Sequence, residues 1–207
     1  MGRIIIPIGI DIDAVKAVFG CKDEALYNQV LKSHFFKKFD EEFSFKKELS
    51  DIIFNYVPPE NRIVKSPKLF GLIKGNDGRG LEGEWNDYGY ALLTLCCYFG
   101  NKFSEDDKEF VYGDSWWKIN KLLRENGSSF DLSRMLESKQ IFDTPFEYEE
   151  IYINQYNKKE ILEFVSHILN METEIKEENL PLYNTIKKGL LNCTDNNLDL
   201  IVFSHEI

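Results

Sequence analysis

The strongest strand signals in this chain lie at its two ends. Arg3–Ile8 contains three consecutive isoleucines, and Leu198–Ser204 reads LDLIVFS, apolar on both faces. Runs rich in β-branched and aromatic residues favour pleated backbone, and a strand apolar on both faces has to be covered on both. Between the ends, apolar residues recur mostly at helical spacing. One arrangement satisfies this pattern: the terminal strands pair in a small sheet, and a layer of helices covers it. The expectation is an α+β fold, mostly helical, forming a single globular domain over residues 1–207, because no linker-like stretch divides the chain. Pro7 places the first strand at a sheet edge or ends it there.

Several helices can be read from caps and periodicity. Asp23 caps a helix running to about Phe39, with Tyr27, Val30, Leu31, His34 and Phe35 along one face. Phe45, Leu49, Ile52, Ile53 and Tyr56 repeat the pattern up to Pro58-Pro59. A helix from about Glu84 to Phe99 is apolar on most sides and reads as a buried central helix. Asp114 or Ser115 caps a helix carrying Trp116, Ile119, Leu122 and Leu123, which ends at Asn126-Gly127. Asn157 caps another, with Ile161, Phe164, Val165, Ile168 and Leu169 inward. Pro181 fits the first turn of a last helix. A further short helix is expected near 131–137, and residues 57–83 look irregular.

Charge restricts the partners. Lys and Arg total 25 against 35 Asp and Glu, a formal −10. Such a surface repels phosphate backbones and anionic lipid, which disfavours nucleic acid and membranes and favours a basic protein or simply water, since acidity also keeps a domain in solution. The longest nearly unbroken apolar stretch, Tyr90–Phe99, is too short to span a bilayer. The opening MGRIIIPIGIDID has neither the apolar core nor the cleavage site of a secretory signal. Four cysteines, with Cys96 and Cys97 adjacent in an apolar run, fit reduced thiols in a cytoplasm.

No standard catalytic or cofactor motif is present. The glycine-rich GNDGRGLEG (75–83) lacks the Lys and hydroxyl of a phosphate loop, and Glu82 and Glu84 at the helix start would repel a phosphate. His34, His167 and His205 have no metal-ligand spacing, and no cofactor or metal is expected. Glu84, Asp87 and Tyr88 in EGEWNDYGY are the best candidates for a small-ligand or enzyme site. Acids in a first helical turn also complement the helix dipole, and that reading weighs more. Acidic runs at 40–42, 105–109 and 172–178 suit docking to a basic groove. Glu105, Asp106 and Asp107, with Trp117 as an aromatic anchor, form the expected interaction surface.

Three ordered patches, IDIDAVKAVFGCKDEAL (10–26), YGYALLTLCCYFG (88–100) and LDLIVFSHE (198–206), resemble a family of small bacterial proteins classed only as a domain of unknown function. Tyr98 and Ser204 stand where that family often has His and Tyr. The resemblance implies no activity. The functional expectation is an acidic protein-interaction protein, immunity- or antitoxin-like, that blocks a basic partner. The alternative is a small-ligand-binding protein or enzyme with its site near 75–90.

Overall fold

A computed structural model describes residues 3–62, 78–103, 110–111, 113–128, 132, 139, 141–144 and 151–206. The chain divides into two compact units, one comprising 1–11, 100–141 and 148–207, the other 12–99 and 142–147. The chain passes between the units four times. No single linker therefore separates them in the sequence.

The first unit holds the sheet. Strand β1 (Arg3–Ile10) pairs antiparallel with β5 (Asp199–Glu206) along its whole length, from Arg3 opposite Glu206 to Ile10 opposite Asp199. On its other side β1 meets two short strands, β2 (Asn101–Lys102) and β3 (Phe110–Val111). Strand β4 (Ile151–Tyr156) pairs with the far side of β5, giving the order β2-β1-β5-β4. The fold is thus α+β with the N- and C-terminal strands in one sheet. Pro7 neither ends β1 nor marks a sheet edge. Its carbonyl accepts from the Phe103 amide, on the side away from β5. In an antiparallel strand a residue's N–H and C=O point the same way, so the proton that proline lacks falls between β2 and β3 and costs the β5 ladder nothing.

Helices α6 (Asp114–Glu125), α7 (Lys158–Asn170) and α8 (Leu180–Asp195) build the core with one face of this sheet. Ile5, Leu200 and Val202 from the strands meet Trp116, Phe164 and Tyr183 from the helices. The opposite face is buried as well: Ile6, Ile8, Ile10, Ile201 and Phe203 are at most 5% exposed. Asn157 caps α7 with a full capping box, its side chain accepting from the Glu160 amide while Glu160 accepts from the Asn157 amide. α6 is capped differently from expectation. Its N-cap is Gly113, without a side-chain bond, and Asp114 is the first helical residue. Leu169 also departs from its expected inward position, being 41% exposed. It sits on the flank of the apolar stripe, next to a helix end. The short helix expected near 131–137 falls almost wholly outside the described residues.

The second unit is helical among the described residues: α1 (Ile12–Lys16), α2 (Glu24–Lys32), α3 (His34–Phe43), α4 (Lys46–Ser50), a π-turn over Asp51–Asn55 and α5 (Trp85–Phe99). Every residue of α5 from Tyr88 to Cys97 is buried, as its all-round apolarity requires. α1 to α4 surround it, and Phe43 stacks on Tyr90 with ring centres 3.7 Å apart. The helix expected over 23–39 is two helices. Ser33 adopts an extended conformation, donates its hydroxyl to the Val30 carbonyl and accepts the Phe36 amide. One serine thus ends α2 and starts α3. The break rotates the following residues, and His34 becomes an exposed first-turn residue instead of joining the apolar face.

Candidate functional site

The backbone amides where the glycine-rich loop meets α5 are taken up by side chains of the protein itself. Three consecutive N–H groups precede α5. Glu82 donates to Asp51 Oδ2 at 3.4 Å, Gly83 to the Tyr88 hydroxyl at 2.8 Å, and Glu84 to Glu48 Oε1 at 3.2 Å. The Tyr88 hydroxyl passes its own proton to Asp51 Oδ2 at 3.0 Å, and Asp51 Oδ1 accepts from Asn55 at 2.8 Å. Lys47 completes the attachment by donating to the Glu82 carbonyl. Two of the three amides thus go to carboxylates, Glu48 of α4 and Asp51 of the π-turn. Helix starts favour negative charge, so Glu48 and Asp51 hold the beginning of the buried helix from a distance.

The expected ligand residues Glu84, Asp87 and Tyr88 differ in exposure. Glu84 is exposed and contributes its backbone, Asp87 is half-buried, and Tyr88 is wholly buried with its hydroxyl engaged twice. Burial above all raises the Tyr88 pKa. The Gly83 amide offsets part of this, and the carboxylates of Asp51 and Glu48 push it further up. The phenol therefore keeps its proton at any ordinary pH and is a poor general acid or base, since that work needs a pKa near the operating pH. Glu48 and Asp51 lie outside the expected site residues. The signal was present: Glu48 lies three residues after Phe45 and four before Ile52, an acid within an apolar stripe.

A second polar cluster gathers on Asp143, with Arg62 on Oδ2 and Arg79 on Oδ1 at 3.3 Å. The Tyr56 hydroxyl donates to the same carboxylate at 3.0 Å. Burial pushes Asp143 up, but the hydrogen bonds from Arg62 and Tyr56 and the two positive charges outweigh it, and its pKa is lowered. Tyr56 is pushed up to about 12, first by burial and then by Asp143. Arg62 and Arg79 stand 17 positions apart in the sequence, and one carboxylate joins them.

Of the expected interaction surface, Glu105, Asp106 and Asp107 lie outside the described residues. Trp117 is 52% exposed, while its neighbour Trp116 is 1% exposed in the core. The acidic stretch at 172–178 is tied down within its own unit. Glu172 pairs with Lys187 at 2.7 Å, Glu174 accepts from Asn126 at 3.1 Å, and Glu178 pairs with Lys118 at 2.7 Å. That last hydrogen bond and the paired charges lower Glu178 and raise Lys118. Trp117 and Lys118 are successive helix residues and point about 100° apart, so Trp117 does not share the flank of α6 that meets this stretch.

All four cysteines are free thiols. Burial pushes Cys96 well above its ordinary value and Cys193 up to about 12, which leaves both unreactive. Among the described residues no group of three His, Cys, Asp or Glu side chains is placed to hold a metal, and no helix is long and apolar enough to cross a membrane. Comparison with protein-family models, with curated proteins and with solved structures finds no match to this chain.

Proposed function

We propose that this chain is a non-catalytic binding protein that docks a basic protein, in the manner of an immunity protein or antitoxin covering a positively charged groove. The distribution of charge carries the reading. The sheet-containing unit holds 20 Asp and Glu against 13 Lys and Arg, a formal −7 of the chain's −10. Among the described residues, the same unit carries three of the four large exposed apolar side chains, Trp117, Leu162 and Leu169. An apolar anchor on a unit of net negative charge suits steered association: the charge raises the encounter rate and the anchor supplies affinity. The ion pairs at 172–178 do not oppose this role. Both carboxylates are open to solvent, Glu172 at 53% and Glu178 at 58% exposed, and pairs on such carboxylates hold little stability, so a partner's cations can replace Lys118 or Lys187. The carboxylates around α5, by contrast, are committed to the chain's own amides, which argues against the ligand site at Glu84, Asp87 and Tyr88.

The test uses the immobilised full chain with soluble protein from its source cells, at low and high salt. Any retained protein is identified, purified and rebound. The expected result is a basic protein whose binding weakens with salt and drops about tenfold or more for Trp117→Ala, the loss typical of an aromatic anchor. Retention of no basic protein at either salt concentration overturns the reading.

A further inference from the structure

We propose that Asn126 is a site of spontaneous covalent modification, held in check by Glu174. Asn126-Gly127 is the single Asn-Gly pair in the sequence. Both residues are exposed at the end of α6, and a Cβ placed on Gly127 would meet nothing within 4 Å. Asparagine is thermolabile, and a following glycine offers no side chain to obstruct attack by its amide. The Gly127 nitrogen attacks Cγ of Asn126. The new N–Cγ bond replaces the Cγ–Nδ2 bond, and Nδ2 leaves as ammonia with the Gly127 amide proton. Water then opens the five-membered imide at either carbonyl, leaving aspartate or isoaspartate. No electrons are gained or lost.

The native turn opposes the first step. The Gly127 amide donates to the Arg124 carbonyl at 3.0 Å. Asn126 Nδ2 is held by the Leu122 carbonyl and by Glu174 Oε2, each at 3.1 Å. Reaction therefore proceeds through opening of the last turn of α6, the part of a helix that frays most readily. The product reverses the contact with Glu174. A carboxylate replaces the amide that Glu174 accepts from, setting two negative charges together at a helix C-terminus, where negative charge is also disfavoured. The Glu172–Glu174 turn then loses its attachment to α6.

The folded full chain, warmed at neutral pH, is followed by peptide mapping for conversion of amide to acid and by enzymatic methylation of isoaspartate. Conversion at Asn126 is expected before that at any other asparagine. Glu174→Ala is expected to speed it about threefold to tenfold, the effect of losing one such hydrogen bond. Gly127→Asn, a residue that tolerates positive φ, is expected to slow it, with circular dichroism confirming the fold. Asn126→Asp reproduces the product and raises amide exchange across 172–174. Conversion at Asn126 no earlier than at other asparagines, an unchanged rate in Glu174→Ala or in Gly127→Asn, or unchanged exchange in Asn126→Asp overturns the proposal.

Discussion

Asp143 takes one arginine on each carboxylate oxygen, and this makes its ionisation a stability term. Its charged form is favoured in the folded chain, so its folded pKa lies below the ordinary 3.8. The stabilisation is fully present above 3.8 and is lost as pH falls through the lower folded value. With 34% of its side chain exposed, screening holds the effect to about 1 kcal/mol. Asp143→Asn is therefore expected to lower stability by about that much near neutral pH. Urea titrations at a series of pH values should show the gap between the variant and the parent closing in acid; a pH-independent gap would contradict the assignment. Tyr88 makes a sharper case because it is wholly buried. Tyr88→Phe leaves the Gly83 amide without its acceptor and takes one of two donors from Asp51 Oδ2. The expected loss is about 1–3 kcal/mol, read from urea midpoints. Neither role follows from sequence position. Asp143 meets arginines 81 and 64 residues away, and only the folded chain brings them together.

At the scale of elements, most helices announced themselves through caps and spacing. Asn157 and Pro181 start α7 and α8 where local chemistry places them. Ser33 was less legible, because the apolar period runs across it while its side chain ends one helix and begins the next. The packing of α8 against the segment after β2 was not legible at all. A Cβ on Gly189 would lie 2.1 Å from Cγ of Phe103, whose ring lies directly against the helix. Gly189→Ala is expected to destabilise by about 1–3 kcal/mol despite alanine's better helix propensity. In the double variant with Phe103→Ala most of that penalty should vanish; additive losses would show that the contact is not its cause.

For the whole molecule, the pairing of β1 with β5 joins residues 189 to 203 positions apart. β5 also carries β4, so the sheet cannot be completed without it. Removing 199–206 is expected to abolish the near-ultraviolet circular dichroism of the buried aromatics in the sheet unit, Trp116 above all, and to leave a chain prone to aggregate through the exposed edges of β1 and β4. A truncated chain that keeps that signal would show that the helices hold together without the sheet. Such distant pairing also implies slow folding, because the ends must meet before the central strands gain anything from closure.

The sequence by itself determined the α+β class, the terminal strands, the buried character of α5 and the excess of acid, because periodicity, caps and net charge are local or additive properties. Only the tertiary structure decided where the polar groups are used. It turned the amides before α5 onto Glu48 and Asp51, gathered Arg62 and Arg79 on Asp143, and fastened the acids of 172–178 to α6 and α8. These are pairings at a distance. They depend on which side chains arrive within about 3 Å of one another, and spacing along the chain does not encode that.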